Sequence, residues 1–139
     1  MSYSSTQFDV CIRGAGIVGR SLSLMLASQG LRVALVSLSD AQKSAHGHSD
    51  VRAYSLNAAS KKLLTDLRCW PEDTACTPIL KMHIEGDQGG NLEFSAAQQG
   101  VEALNWMIDV PSLENNLAKA IGFQPLIQEV SESVKAPLT

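Results

Sequence analysis

The chain has 139 residues, 45% of them apolar and 18% charged, with a formal net charge of −3. That composition belongs to a globular fold, and the length suits one domain with a single core. It excludes a nucleic-acid surface, since no Lys/Arg cluster or stripe occurs, and a membrane-spanning helix, since no apolar run reaches about 18 residues.

The first seven residues, MSYSSTQ, have neither the charged nor the apolar region of a secretory signal. Cys11, Cys69 and Cys76 are odd in number and lack C-x-x-C spacing, so they read as reduced thiols of a cytoplasmic protein without a zinc site.

Phe8 to Arg13 reads as a buried strand ended by glycine, and Ile17 to Gln29 as a helix. In that helix Leu22, Leu24, Met25 and Leu26 form the apolar side, Arg20, Ser21 and Ser28 lie elsewhere, and Gly30 sits where a helix closes. Leu31 to Ser37 reads as a second buried strand, completing a β-α-β unit. Residues 38–51 read as a polar loop. Asn57 to Leu67 has helical spacing at Leu63, Leu64 and Leu67, and Trp70-Pro71 is expected to end that helix. Residues 80–85 and 91–94 alternate around DQGG, which predicts a β-hairpin with His83 on its polar face. Residues 103–109 read as a strand, Pro111 to Ile121 as a helix with Leu113, Leu117 and Ile121 on one face, and Phe123 to Val130 as a last strand.

The turn between the first strand and helix, Gly14-Ala15-Gly16-Ile17-Val18-Gly19, fits G-x-G-x-x-G. In this strand–turn–helix–strand context the pattern predicts a dinucleotide site. Gly14 allows the tight turn, Gly16 lets backbone approach a pyrophosphate, and Gly19 lets helix and strand pack closely. The amides of the first helical turn, with the helix dipole, favour the phosphate charge. The second strand ends in Ser37, where an acid usually meets a ribose hydroxyl. Serine is the weaker partner, and Asp40 is a substitute from the loop.

Four stretches, in order over residues 8–121, resemble the flavoprotein aromatic hydroxylases, above all the ubiquinone-biosynthesis and p-hydroxybenzoate hydroxylase-like enzymes. They are the glycine-rich N-terminal unit; Asp50-Val51-Arg52-Ala53-Tyr54-Ser55-Leu56, similar to D-x-R-x-x-A-L; the helix ending in Cys69-Trp70, where the family often has L-x-x-L-G-x-W; and Ala103 to Leu117. The resemblance implies an α/β fold: a Rossmann-like FAD/NAD(P)-binding β-α-β sheet with an added antiparallel hairpin, residues 1–139 being the N-terminal portion of a FAD-binding domain and an incomplete one. It implies FAD as cofactor and NAD(P)H as a transient reductant, with the reduced flavin activating oxygen to hydroxylate an aromatic or quinone-precursor substrate. Gly14, Ala15, Gly16, Ile17, Val18, Gly19 and Ser37 would bind the cofactor, and Arg52 would lie against its phosphates or adenine.

The chain departs from the family at Arg13, a charge before the first glycine; at Val110, where relatives often have a polar residue facing the flavin; and at Ser37. It ends before the later D-G and G-D segments, and Gly86-Asp87 lies in the hairpin turn instead. Activity is therefore not expected of these 139 residues, and self-association through exposed edges and apolar surface is. A quinone precursor as substrate would place the protein at a membrane surface, although no basic amphipathic helix supports that. His46 and His48 read as solvated loop residues, since a metal site needs three or four ligands. Trp70 and Trp106 read as core or rim aromatics. No side chain is assigned to catalysis. Two other readings stay open: a non-catalytic Rossmann-like module acting in assembly, and a small NAD(P)-binding protein.

Overall fold

The computed structural model describes residues 7–37 and 52–131. The expected polar loop, with Asp40, His46 and His48, lies outside them. The chain forms two compact units, residues 1–50 with 114–139, and residues 51–113.

The first unit is built on a parallel sheet. β1 (Val10–Arg13) pairs with β2 (Val33–Ser37), and β2 pairs with β8 (Ile127–Ser131), so β2 is the central strand. Helix α1 (Ile17–Ser28) connects β1 to β2, giving the expected strand–helix–strand order. Val33, Ala34 and Leu35 are buried, as a strand with two neighbours in a parallel sheet should be. β1 is not the buried strand its apolar run predicts. Among the described residues it is an edge, paired only with β2, and Cys11 and Arg13 on alternate positions are exposed.

The face of α1 also differs from its leucine pattern. Ser23, Leu24 and Ala27 are the buried positions, while Leu22 and Met25 are exposed. The cause is Gly19. A Cβ there would lie 1.8 Å from the Gly14 carbonyl oxygen and 3.5 Å from Ile12 Cγ2, so helix and turn are almost touching. Small side chains at 23 and 27 continue that seam. Ser23, fully buried, satisfies its hydroxyl by donating to the Gly19 carbonyl at 2.8 Å. Beyond the cap Gln29, Gly30 takes φ 87°, its amide bonding Ala27 O while Leu31 N bonds Leu26 O, the paired bonds of a Schellman ending.

The second unit is antiparallel. β3 (Ala53–Leu56) and β4 (Cys76–Ile79) flank β7 (Asn105–Asp109), and β5 (Lys81–Glu85) pairs with β6 (Asn91–Ser95) as the expected hairpin. The sequence shows no alternation at β3, whose residues are mostly exposed, and Pro78 disguises β4. Proline is tolerated there because β4 is an edge. In the hairpin, Met82 faces Phe94 and Ile84 faces Leu92, while His83 is on the polar side with Nε2 3.3 Å from Glu85.

Helix α2 (Ala58–Asp66) starts at Asn57, whose side chain accepts the Ser60 amide at 2.9 Å. It ends at Asp66 with Leu67 as its C-cap, where the leucine spacing places its end. Arg68 adopts φ 60°, and the bonds Cys69 N to Leu64 O and Arg68 N to Thr65 O close another Schellman ending. Arg68 therefore stands where the L-x-x-L-G-x-W pattern has glycine, and an L-residue there costs about 1 kcal/mol. From α2, Lys61 lies over Trp106 at 4.4 Å and over Trp70 at 5.7 Å, and the two indoles meet edge to face at 6.1 Å. Trp106 is buried, so this cluster belongs to the core of the unit.

A short helix α3 (Ala96–Gln99) follows the hairpin, capped by Ser95. Helix α4 (Val110–Gly122) begins in the second unit and continues in the first. Asp109 caps it, its Oδ2 accepting from the Ser112 amide at 3.1 Å and the Ser112 hydroxyl at 2.7 Å. Leu113, Leu117 and Ile121 are buried along it, as their spacing predicts.

Candidate cofactor-binding site

The glycine turn is formed as its spacing requires. Gly14 has φ 115°, a conformation that L side chains rarely adopt, and its amide still bonds Val36 O at 2.8 Å, extending the β1–β2 ladder into the turn. Gly16 is the N-cap of α1 in extended conformation, and no side chain caps it. A Cβ built on Gly16 would meet no atom of the described residues within 4 Å, so they leave room beside Gly16. The amides of Ile17, Val18 and Gly19 precede the first intrahelical bond, Arg20 N to Gly16 O at 2.9 Å, and have no partner within the helix.

No acidic residue lies in the first turn of α1 to compete for those amides. Arg20, the next residue, is partly buried. Its Nη1 reaches the Glu114 carbonyl at 3.5 Å, and its Nε is buried with no hydrogen-bond partner among the described residues. A guanidinium about one turn into the helix adds to the positive potential that the dipole places at its start. The sequence reading put Arg20 on an outer face; only the packing of α1 reveals its burial. Chemically, this arrangement can hold an anion against backbone N–H groups, and its glycine seam admits one that must come close.

Ser37 ends β2, half-buried, paired with Ser131 of β8. It shares the first unit with the glycine turn. Arg52 belongs to the second unit, just before β3. Its guanidinium donates to the Tyr54 hydroxyl at 3.4 Å, and its carbonyl accepts the Val110 amide at 3.0 Å. Val110 itself is fully buried. Among the described residues no group of three His, Cys, Asp or Glu could hold a metal, and no helix is long and apolar enough to cross a membrane.

With this geometry in place, comparison with solved structures defines the class of fold. The chain superposes on PqsL, a probable FAD-dependent monooxygenase from Pseudomonas aeruginosa, with a TM-score of 0.67 at 21% identity, covering 91% of this chain and 33% of that one. It superposes on the flavin-dependent monooxygenase PieE, solved with FAD and substrate, with a TM-score of 0.62 at 19% identity over 91% of this chain and 24% of that one. The fold is thus the mixed α/β fold found in part of these monooxygenases.

At the level of sequence, the chain is 29% identical over 122 residues to the 3-demethoxyubiquinol 3-hydroxylase of Escherichia coli (strain K12), covering 86% of this chain and 31% of that protein. The resemblance to flavoprotein hydroxylases read from the motifs is borne out by both comparisons. This chain spans between about a quarter and a third of the length of these relatives. No family model matches it.

Proposed function

We propose that the chain is the FAD-binding portion of a flavoprotein monooxygenase that hydroxylates an aromatic or quinone-precursor substrate with NAD(P)H and oxygen. The observation that carries this reading is the open, uncapped start of α1 behind Gly14 and Gly16, in a chain whose sequence and fold relatives are hydroxylases and FAD-dependent monooxygenases. The β1–α1–β2 unit is then Rossmann-like, and residues 1–139 form the N-terminal part of the FAD-binding domain.

The residues fit the group. Gly14 to Gly19 would receive the pyrophosphate on backbone amides, Ser37 would meet the adenosine ribose, and Arg52 would add a charge-assisted contact to a phosphate. When bound, the flavin supplies the redox chemistry; the described residues bind and orient it. The exposed apolar side chains of the hairpin, Ile84, Leu92 and Phe94, support the expected self-association.

Titration of the purified chain with FAD, NADH and NADPH in parallel tests the reading. Saturable FAD binding that is lost in Gly16→Val is the expected result. Binding of NADH or NADPH in preference to FAD, or of none of the three, would overturn it.

A further inference from the structure

We infer that the chain pairs with a second copy of itself along the outer edge of β5, antiparallel and two-fold about His83; this rests on the self-association proposed above and is independent of the cofactor reading. β5 and β6 form a two-stranded sheet, and among the described residues neither has a partner strand on its outer edge. Backbone bonds at both ends of the ladder fix which groups face outward. Ala96 N donates to Leu80 O at 2.8 Å, and Gly86 N donates to Gly90 O at 2.7 Å. Bonded positions alternate along an antiparallel pair. Leu80, Met82, Ile84 and Gly86 therefore turn their backbone groups toward β6, while Lys81, His83 and Glu85 turn theirs outward.

That edge is self-complementary. A second β5 running the opposite way, centred on His83, sets Lys81 against Glu85 of the other copy and Glu85 against its Lys81. Opposite charges then face each other twice, at positions whose backbone groups face outward. On the other side of the sheet, half-buried Met82 meets exposed Ile84 of the other copy. His83 meets His83, and each lies beside Glu85 at 3.3 Å and Glu93 at 4.0 Å, carboxylates that offset an imidazolium charge. No proline interrupts β5, in contrast to Pro78 in β4. The edge of β6 lacks this match. Two-fold pairing about its middle residue would set Glu93 against Glu93, and Ser95 at its end is buried and caps α3.

The test is a charge swap read by sedimentation over a range of chain concentrations, in reductant so that exposed Cys11 forms no disulfide. The unmodified chain should dimerise. Lys81→Glu and Glu85→Lys each place like charges opposite one another twice, and each should weaken the dimer by roughly tenfold. The two changes combined in one chain should restore it. Both side chains are exposed, so the urea midpoint of the monomer should stay where it is, and recovery in the double variant separates pairing from misfolding. A dimer indifferent to all three variants is held by another surface, such as the apolar face of the hairpin; that result overturns the edge pairing and leaves self-association standing. Loss in the single variants without recovery in the double also overturns it. A chain that stays monomeric overturns both.

Discussion

One helix in each unit ends on the same pair of backbone bonds around a different residue. In the first, each awkward position is glycine: φ 115° at Gly14, the 1.8 Å approach at Gly19, and the left-handed helix ending at Gly30. In the second, an identical pair of Schellman bonds closes α2 around Arg68, and side chains rather than backbone contacts consolidate the interior, with Lys61 over two indoles. Where backbone geometry serves the site, glycine is irreplaceable. At the end of α2, where it only closes a helix, a side chain is tolerated at modest cost.

The contrast can be broken most sharply at Gly19. Gly19→Val drives carbon into a main-chain carbonyl that no rotamer change can relieve. It should destabilise the first unit by about 3 kcal/mol or more, seen as a large fall in the urea midpoint. Gly16→Ala has open space and should leave that midpoint within about 1 kcal/mol, while weakening FAD binding in titration. Similar stability losses for the two variants would erase the distinction between a packing glycine and a ligand glycine.

In the second unit, Lys61→Met keeps the stem and removes the charge over Trp106. A loss of about 1 kcal/mol is expected for a partly exposed cation–π contact, with altered tryptophan fluorescence in the folded chain. Arg68→Gly is the converse, a substitution that stabilises by about 1 kcal/mol by relieving the left-handed strain. An unchanged or lower melting temperature would show that the arginine side chain contributes something that glycine cannot.

The smallest effects concern the thiols. Burial pushes Cys69 above the ordinary thiol value, and burial together with nearby Asp73 pushes Cys76 up, partly opposed by Lys61. In alkylation followed by mass spectrometry, exposed Cys11 should react before Cys76, and Cys76 before Cys69. Lys61→Met removes the opposing cation, so it should slow Cys76 further. Because the folded chain keeps Cys69 protonated to higher pH than the unfolded chain does, stability should be intact below the ordinary thiol value. It should decline as pH rises beyond that value.

These comparisons also explain what the amino-acid order revealed. The glycine turn was legible because steric demands leave almost no alternative residue, and the hairpin because alternation and DQGG state it locally. β2 and α4 carried plain apolar patterns. The buried side of α1 was misread because leucines outnumber the small residues, yet the Gly19 seam selects Ser23 and Ala27. The exposure of β1 depends on having one neighbour among the described residues, which no local pattern encodes. The bounds of α2 follow from its leucine spacing, but the left-handed conformation of Arg68 does not, because arginine does not announce one. Of the site residues, the turn followed from spacing, Arg52 only from family resemblance, and Arg20 from neither, since its burial depends on the proximity of α4.

Pro78 has a consequence for assembly. It lies on edge strand β4, opposite Trp106, and carries no N–H. A strand from another molecule laid along that edge would miss a rung of its ladder at the proline. One margin of the antiparallel sheet is thereby guarded against fibre-like growth by a residue that forms no contact for the purpose.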